Sequence, residues 1–194
     1  FGADLGFEKF VDIKARTNGL EPSAVVLVAT IRALKSHGGV KFRDLDTPNE
    51  AAVEKGCANL EHLTGMIRGF GFPVVVAINE FPSDTDGEFA IVKRRAEAAG
   101  AVSAVKSSVF ANGGAGGIEL AEAVVAAAAG GKTDVTYLFD EDAPVEEKVL
   151  ALAKNVYGAD DVKWALAARR KLKAFHQQGW GTLPVCMAKT HLSI

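Results

Sequence analysis

The chain has 194 residues, with 22 Lys plus Arg against 24 Asp plus Glu, and 48% of it is apolar. That length suits one domain, or one and a half, with a substantial core, and 20 Gly with 6 Pro exclude collagen-like and disordered chains. A net charge of −2 argues against nucleic acid as a partner, no apolar run reaches the roughly 20 residues that span a bilayer, and two widely separated cysteines (Cys57 and Cys186) point to a reducing, cytoplasmic setting.

The elements expected along the chain alternate as in an α/β protein. Residues 24–29 and 73–78 are β-branched-rich runs without polar alternation, which suits strands buried on both faces of a parallel sheet; residues 101–105 form a weaker third. Between the first two, Thr47-Pro48-x-Glu50 has the spacing of a capping box, followed by an apolar stripe at Val53, Cys57, Leu60 and Ile67 that stops near Gly69 or Gly71. The box recurs at Thr85-x-x-Glu88, opening a helix with Phe89, Val92 and Ala96 on one side and Gly100 as terminator. An alanine-rich helix over 118–129 follows, stopped by Gly130-Gly131. Residues 1–131 therefore form an α/β core, a parallel sheet with flanking helices, and 132–194 a smaller α+β segment. In that segment residues 135–139 alternate like a strand, Pro144 starts a helix ended by Gly158, and a helix over 164–178 carries Arg169, Arg170, Lys171 and Lys173. A solvated face is the plain reading of that basic cluster.

Several motifs fail. Gly131-Lys132-Thr133 resembles the end of a phosphate-binding G-x-x-x-x-G-K-[ST], but the first glycine would fall on Ala126 and the segment ends a helix. Neither G-x-G-x-x-G nor G-x-S-x-G occurs, and the four histidines lack metal-ligand spacing. Two loops remain, both at carboxyl ends of strands, where open α/β sheets bind ligands. Asn79 and Asp84 could read a purine edge beside the stiff Phe81-Pro82 surface, or the segment is an ordinary turn with Asp84 or Thr85 capping the next helix. Gly113, Gly114, Gly116 and Gly117 precede a helix, so their N–H groups could approach an anion, or they form a flexible connection. Asp4, between Gly2 and Gly6, could reach a magnesium ion through water or cap a helix.

Taken together, five blocks resemble the formate–tetrahydrofolate ligase family. They are Phe1-Gly-Ala-Asp-Leu-Gly-Phe-Glu-Lys-Phe10, Val26 to Lys35, Pro73 to Asn79 with Phe81-Pro82-Ser-Asp84-Thr, Gly113-Gly114-x-Gly116-Gly117-Ile-Glu-Leu-Ala, and Leu183 to Thr190. The resemblance runs the whole length of the chain. It implies an enzyme that uses MgATP to join formate to tetrahydrofolate through formyl phosphate, and that forms homo-oligomers (homotetramers in the family). It also implies a P-loop-type core whose phosphate loop lies upstream of Phe1, so that this chain is a piece of the enzyme, inactive alone. Phe1, Phe81, Pro82 and Phe110 fall where the family stacks folate, with Phe110 where tryptophan is common. Asn79, Asp84, Gly113, Gly114, Gly116 and Gly117 fall in the loops near the nucleotide. A non-catalytic folate- or nucleotide-binding module, or an assembly remnant, is the alternative.

Overall fold

The strand with the longest uninterrupted apolar run takes the centre of the sheet. In the computed structural model, which describes residues 3–130 and 133–188, β1 (Val25–Ala29), β2 (Val74–Asn79) and β3 (Ser103–Ser107) pair in parallel in the order β1-β2-β3. Residues Val74 to Ile78 are buried throughout, as coverage on both faces requires. In chain order the helices are α1 (Ala3–Glu8), continued by a π-helical stretch Lys9–Ala15 into α2 (Arg16–Asn18), then α3 (Ile31–His37), α4 (Glu50–Gly69), α5 (Asp86–Ala98), α6 (Val109–Asn112), α7 (Ile118–Ala128), α8 (Val145–Asn155) and α9 (Leu166–Gln177). Glu21–Val135 form one compact unit; the described parts of 1–20 and 136–193 form a second. The N-terminal helix thus belongs with the later segment, although its place in the chain put it with the α/β core.

Within the first unit, α4 packs on β1 and β2, α5 on β3, and α7 on the other face against β2 and β3. Helix α7 leaves β1 uncovered, so Val26 and Val28 are 40% and 59% exposed although the run predicts burial on both faces. Only Leu27, on the α4 side, is buried. Helix α3 is absent from the sequence expectations. It is capped by the Thr30 side chain, which accepts from the Ala33 N–H, and it meets α4 closely because Gly56 has no side chain. A Cβ there would lie 1.9 Å from the Leu34 carbonyl oxygen. The expected stripe of α4 is confirmed, with Val53, Cys57, Leu60 and Ile67 all buried.

The two capping boxes have different fates. Thr85 and Glu88 form theirs, and Gly100 ends α5 with φ +98°. The Thr47–Glu50 box does not form, and Asn49 caps α4 instead by accepting from the Ala52 N–H. The Thr47 N–H, which the box would offer to Glu50, donates instead to the Asp44 carbonyl at 3.1 Å. Lys35, wholly buried, donates to the carbonyls of Leu45 (3.0 Å) and Thr47 (3.1 Å) and pairs with Glu88 at 2.8 Å. Glu88 Oε1 also accepts the Asn49 N–H at 2.8 Å, while Oε2 accepts the Thr85 N–H and hydroxyl, each at 3.1 Å. Burial pushes the Glu88 carboxyl pKa up, yet these donors outweigh it and hold the group below the ordinary glutamate value.

In the second unit, residues 135–139 are not a strand, and no strand occurs among the described residues 136–188. The Phe139 carbonyl accepts from Arg16 at 2.7 Å, and the Arg16 guanidinium lies 4.4 Å from the centre of the Tyr137 ring. Lys148 is buried on α8 and donates to the carbonyls of Glu141 and Thr182. Glu8 and Asp12, four residues apart on the helical segment, are also buried; neither Glu8 oxygen has a hydrogen-bond partner among the described residues, and Asp12 has only the distant approach of the Leu138 N–H. Burial chiefly, with Asp12 adding repulsion, pushes Glu8 up to about 7. Burial likewise pushes Asp12 up to about 6, against the pull of the Leu138 N–H and Arg16.

Two outcomes are expected. Lys35→Met leaves Glu88 buried and unpaired and costs about 3–5 kcal/mol in urea unfolding, and Lys35→Met combined with Glu88→Leu restores much of that loss. Glu8 is bound to its proton more tightly in the folded chain than in the unfolded one, so its contribution to stability is complete below about pH 4.5 and declines as pH rises towards 7. Glu8→Gln, which mimics the protonated form, should stabilise the chain at pH 8 by on the order of 3 kcal/mol and flatten that decline.

Candidate functional site

Because β2 and β3 are parallel and in register, their carboxyl ends lie side by side, with Asn79 opposite Ser107. The Glu80 N–H continues the ladder by donating to the Ser107 carbonyl at 3.0 Å. The two loops singled out in the sequence therefore leave the sheet as neighbours.

The first loop is a built turn. Asp84 Oδ2 accepts the Phe81 N–H at 2.9 Å, and the Asp84 N–H donates to the Phe81 carbonyl at 2.9 Å. The second oxygen, Oδ1, is buried with no hydrogen-bond partner among the described residues, and burial raises the Asp84 pKa above the ordinary aspartate value. Asp84 thus holds the turn while Thr85 caps α5, and Asn79 stands exposed at the strand end. Phe81 remains partly exposed, with the Arg32 guanidinium 5.2 Å from its ring centre. Arg32 is itself paired with Asp46 at 3.2 Å, and Asp46 accepts from the Ser83 hydroxyl at 3.3 Å. Lys106, at the end of β3, pairs with Asp86 at 2.8 Å and Glu80 at 3.7 Å. Arg32 and Lys106 escape sequence reasoning. Their cue is a cation at a strand or helix terminus next to an acidic loop, which is too common to single out.

The second loop begins with α6 and passes through a 3-10 turn, Gly113–Gly117, into α7. Gly113 has φ +57°, a left-handed conformation that glycine adopts without strain. Gly116 lies against the chain, since a Cβ there would approach the Ser108 backbone to 2.6 Å, and the Ser108 N–H donates to the Gly116 carbonyl at 3.1 Å. Gly114, by contrast, is exposed and has open space where a Cβ would point. The glycines therefore divide between those the fold requires and one that leaves backbone accessible to a ligand. Phe110 is fully exposed, so no part of its ring serves the core.

Phe1 lies outside the described residues. Asp4 belongs to the second unit, not to these loops, and its Oδ1 accepts the Leu5 N–H at 2.7 Å. No group of three His, Cys, Asp or Glu among the described residues could hold a metal ion, so Asp4 gains no support as a magnesium ligand. Cys57 is a buried thiol whose pKa burial pushes up to about 11, unsuited to nucleophilic chemistry.

The three-stranded parallel sheet with flanking helices brings an aromatic loop and a glycine-rich loop side by side at its carboxyl edge, the edge at which open α/β folds hold ligands. The chain belongs to the formate–tetrahydrofolate ligase family, whose family model matches residues 1–194. Over its full length it is 50% identical to the formate–tetrahydrofolate ligase of Methylorubrum populi and 53% identical to that of a Sphingobium species, covering 35% and 34% of those proteins. It is also 50% identical to the same enzyme of Desulforamulus reducens, covering 35% of it. The chain thus spans about a third of the length of the curated relatives it matches.

The glycine division can be checked. Gly116→Ala should destabilise the chain by about 1–3 kcal/mol in a denaturant titration, because the Ser108 backbone has to move. Gly114→Ala should change stability by less than about 0.5 kcal/mol, as expected for an open surface position.

Proposed function

We propose that this chain carries the folate-stacking surface and part of the nucleotide-binding surface of an ATP-dependent ligase that makes 10-formyltetrahydrofolate. The observation that carries this reading is Phe110, an aromatic ring wholly in solvent beside a glycine-rich loop and next to the Phe81-Pro82 turn in sheet order. A ring without core contacts has its whole apolar face free for stacking, and a flat ligand laid on it would remove that face from water.

In the reaction, a formate oxygen attacks the γ-phosphorus of ATP and ADP departs, giving formyl phosphate. N10 of tetrahydrofolate then attacks the formyl carbon, phosphate leaves with the electron pair of the broken C–O bond, and N10 loses its proton. Phe81, Pro82 and Phe110 present apolar surface to the pterin, and in this reading Phe1 joins them. Gly113, Gly114, Gly116 and Gly117 offer backbone to an anion near the N-terminus of α7, while Asn79 and Asp84 border the nucleotide. The Arg32 contact pins Phe81, so one stacking surface is set before the ligand arrives. MgATP enters as substrate. Residues 1–194 contain no G-x-x-x-x-G-K-[ST], and this reading assigns neutralisation of the triphosphate to other groups of the enzyme. A cytoplasmic homo-oligomer is the setting this reading implies; among the described residues no helix is long and apolar enough to cross a membrane.

Phe110→Ala should leave thermal stability unchanged and weaken tetrahydrofolate binding by about 1–3 kcal/mol, by analogy with base–aromatic stacking, without altering ATP affinity. Calorimetric titration of each substrate decides it. Equal losses for both, or none for folate, would remove Phe110 from the folate surface.

A further inference from the structure

The basic cluster of α9 is not a uniform solvated face. Arg169, Leu172, Lys173 and His176 recur at i, i+3, i+4 and i+7, so they share one side of the helix. With Trp164 and Glu146 they line a cleft of about 410 Å³. Leu172 is buried and forms an apolar floor, while Arg169 and Lys173 are exposed and make no ion pair among the described residues. His176 Nε2 lies 3.0 Å from both oxygens of Glu146, so the one acidic group lining the cleft among the described residues is turned to the imidazole, and the two cations Arg169 and Lys173 outnumber it. The other side of the imidazole rests on Gly181, where a Cβ would lie 2.2 Å from Nδ1. The Gly181 carbonyl in turn accepts the Val145 N–H at 2.8 Å at the start of α8. The wall of the cleft is therefore fixed, and its volume falls in the range of small-molecule sites.

We propose that this cleft is a second ligand site, separate from the loops at the sheet edge, for a planar aromatic ring bearing a doubly negative group. Trp164 and Leu172 would contact the ring, and Arg169 and Lys173 would hold the charge. The paired carboxylates of a glutamate amide-linked to a benzoyl ring and the phosphate of a nucleoside monophosphate both present this chemistry, and two probes separate them: p-aminobenzoyl-glutamate and AMP.

The test titrates each probe into the 194-residue chain, following tryptophan fluorescence and heat. At least one probe is expected to bind saturably at one site, with the quench lost in Trp164→Phe and kept in Trp180→Phe. Binding by p-aminobenzoyl-glutamate alone assigns the carboxylate source, binding by AMP alone the phosphate source, and binding by both the shared chemistry. Arg169→Gln with Lys173→Gln should lower affinity at least tenfold with an unchanged thermal melt, and Lys173→Gln alone should give a partial loss. Phe110→Ala should leave binding as it was. The proposal is overturned if neither probe saturates, if the double variant binds like the parent chain, if the quench follows Trp180, or if Phe110→Ala abolishes binding.

Discussion

The first unit is organised around a buried ion pair in which every donor is used. Three protons of the Lys35 ammonium meet the Glu88 carboxylate and the carbonyls of Leu45 and Thr47, and both oxygens of Glu88 accept further donors from Asn49 and Thr85. Removing two charges from water is expensive, and attraction between them offsets that only when the remaining hydrogen-bonding capacity is also met. Here it is met. One carboxylate consequently ties α3, the segment before α4 and the first turn of α5 together. That first turn is where the Phe81-Pro82 loop ends, so the position of the candidate folate surface depends on a charge pair that never meets solvent.

The second unit handles buried charge in two other ways. Lys148 has no carboxylate partner and is satisfied by carbonyl oxygens; burial, with Arg16 nearby, lowers its pKa. Glu8 has no hydrogen-bond partner among the described residues and Asp12 only a weak approach from the Leu138 N–H, and their affinity for protons rises instead. The helical segment of Glu8 thus loses stability as pH rises, whereas the Lys35–Glu88 network, with Glu88 held as the anion, loses its contribution only as pH falls.

At the sheet edge, rigidity and openness are distributed residue by residue. Asp84 closes the Phe81 turn, Arg32 and Lys106 brace it through Asp46, Glu80 and Asp86, and Gly116 packs against Ser108. Phe110 and Gly114 are left without internal duties. A surface that is fixed behind and bare in front loses little conformational entropy when a ligand covers it.

The three strands, the Thr85 capping box, the glycine stops and the two edge loops were legible in the residues alone, because β-branched runs, caps and left-handed glycines act over a few neighbouring positions. So were the blocks shared with the ligase family. What needed the tertiary structure was everything decided by distant partners. The capping motif at Thr47 is correct in form and unused, since the Thr47 N–H is taken by the Asp44 carbonyl and α4 starts two residues later, capped by Asn49. Residues 135–139 alternate like a strand but pair with no other strand. Alternation cannot supply one. Val26 and Val28 match buried-strand composition yet face solvent because α7 covers only β2 and β3, and the basic run of α9 became a cleft only when Trp164 and Glu146 were brought to its side. Local sequence specifies which conformations are cheap; which of them are used depends on contacts between residues tens of positions apart, whose energies no short window contains.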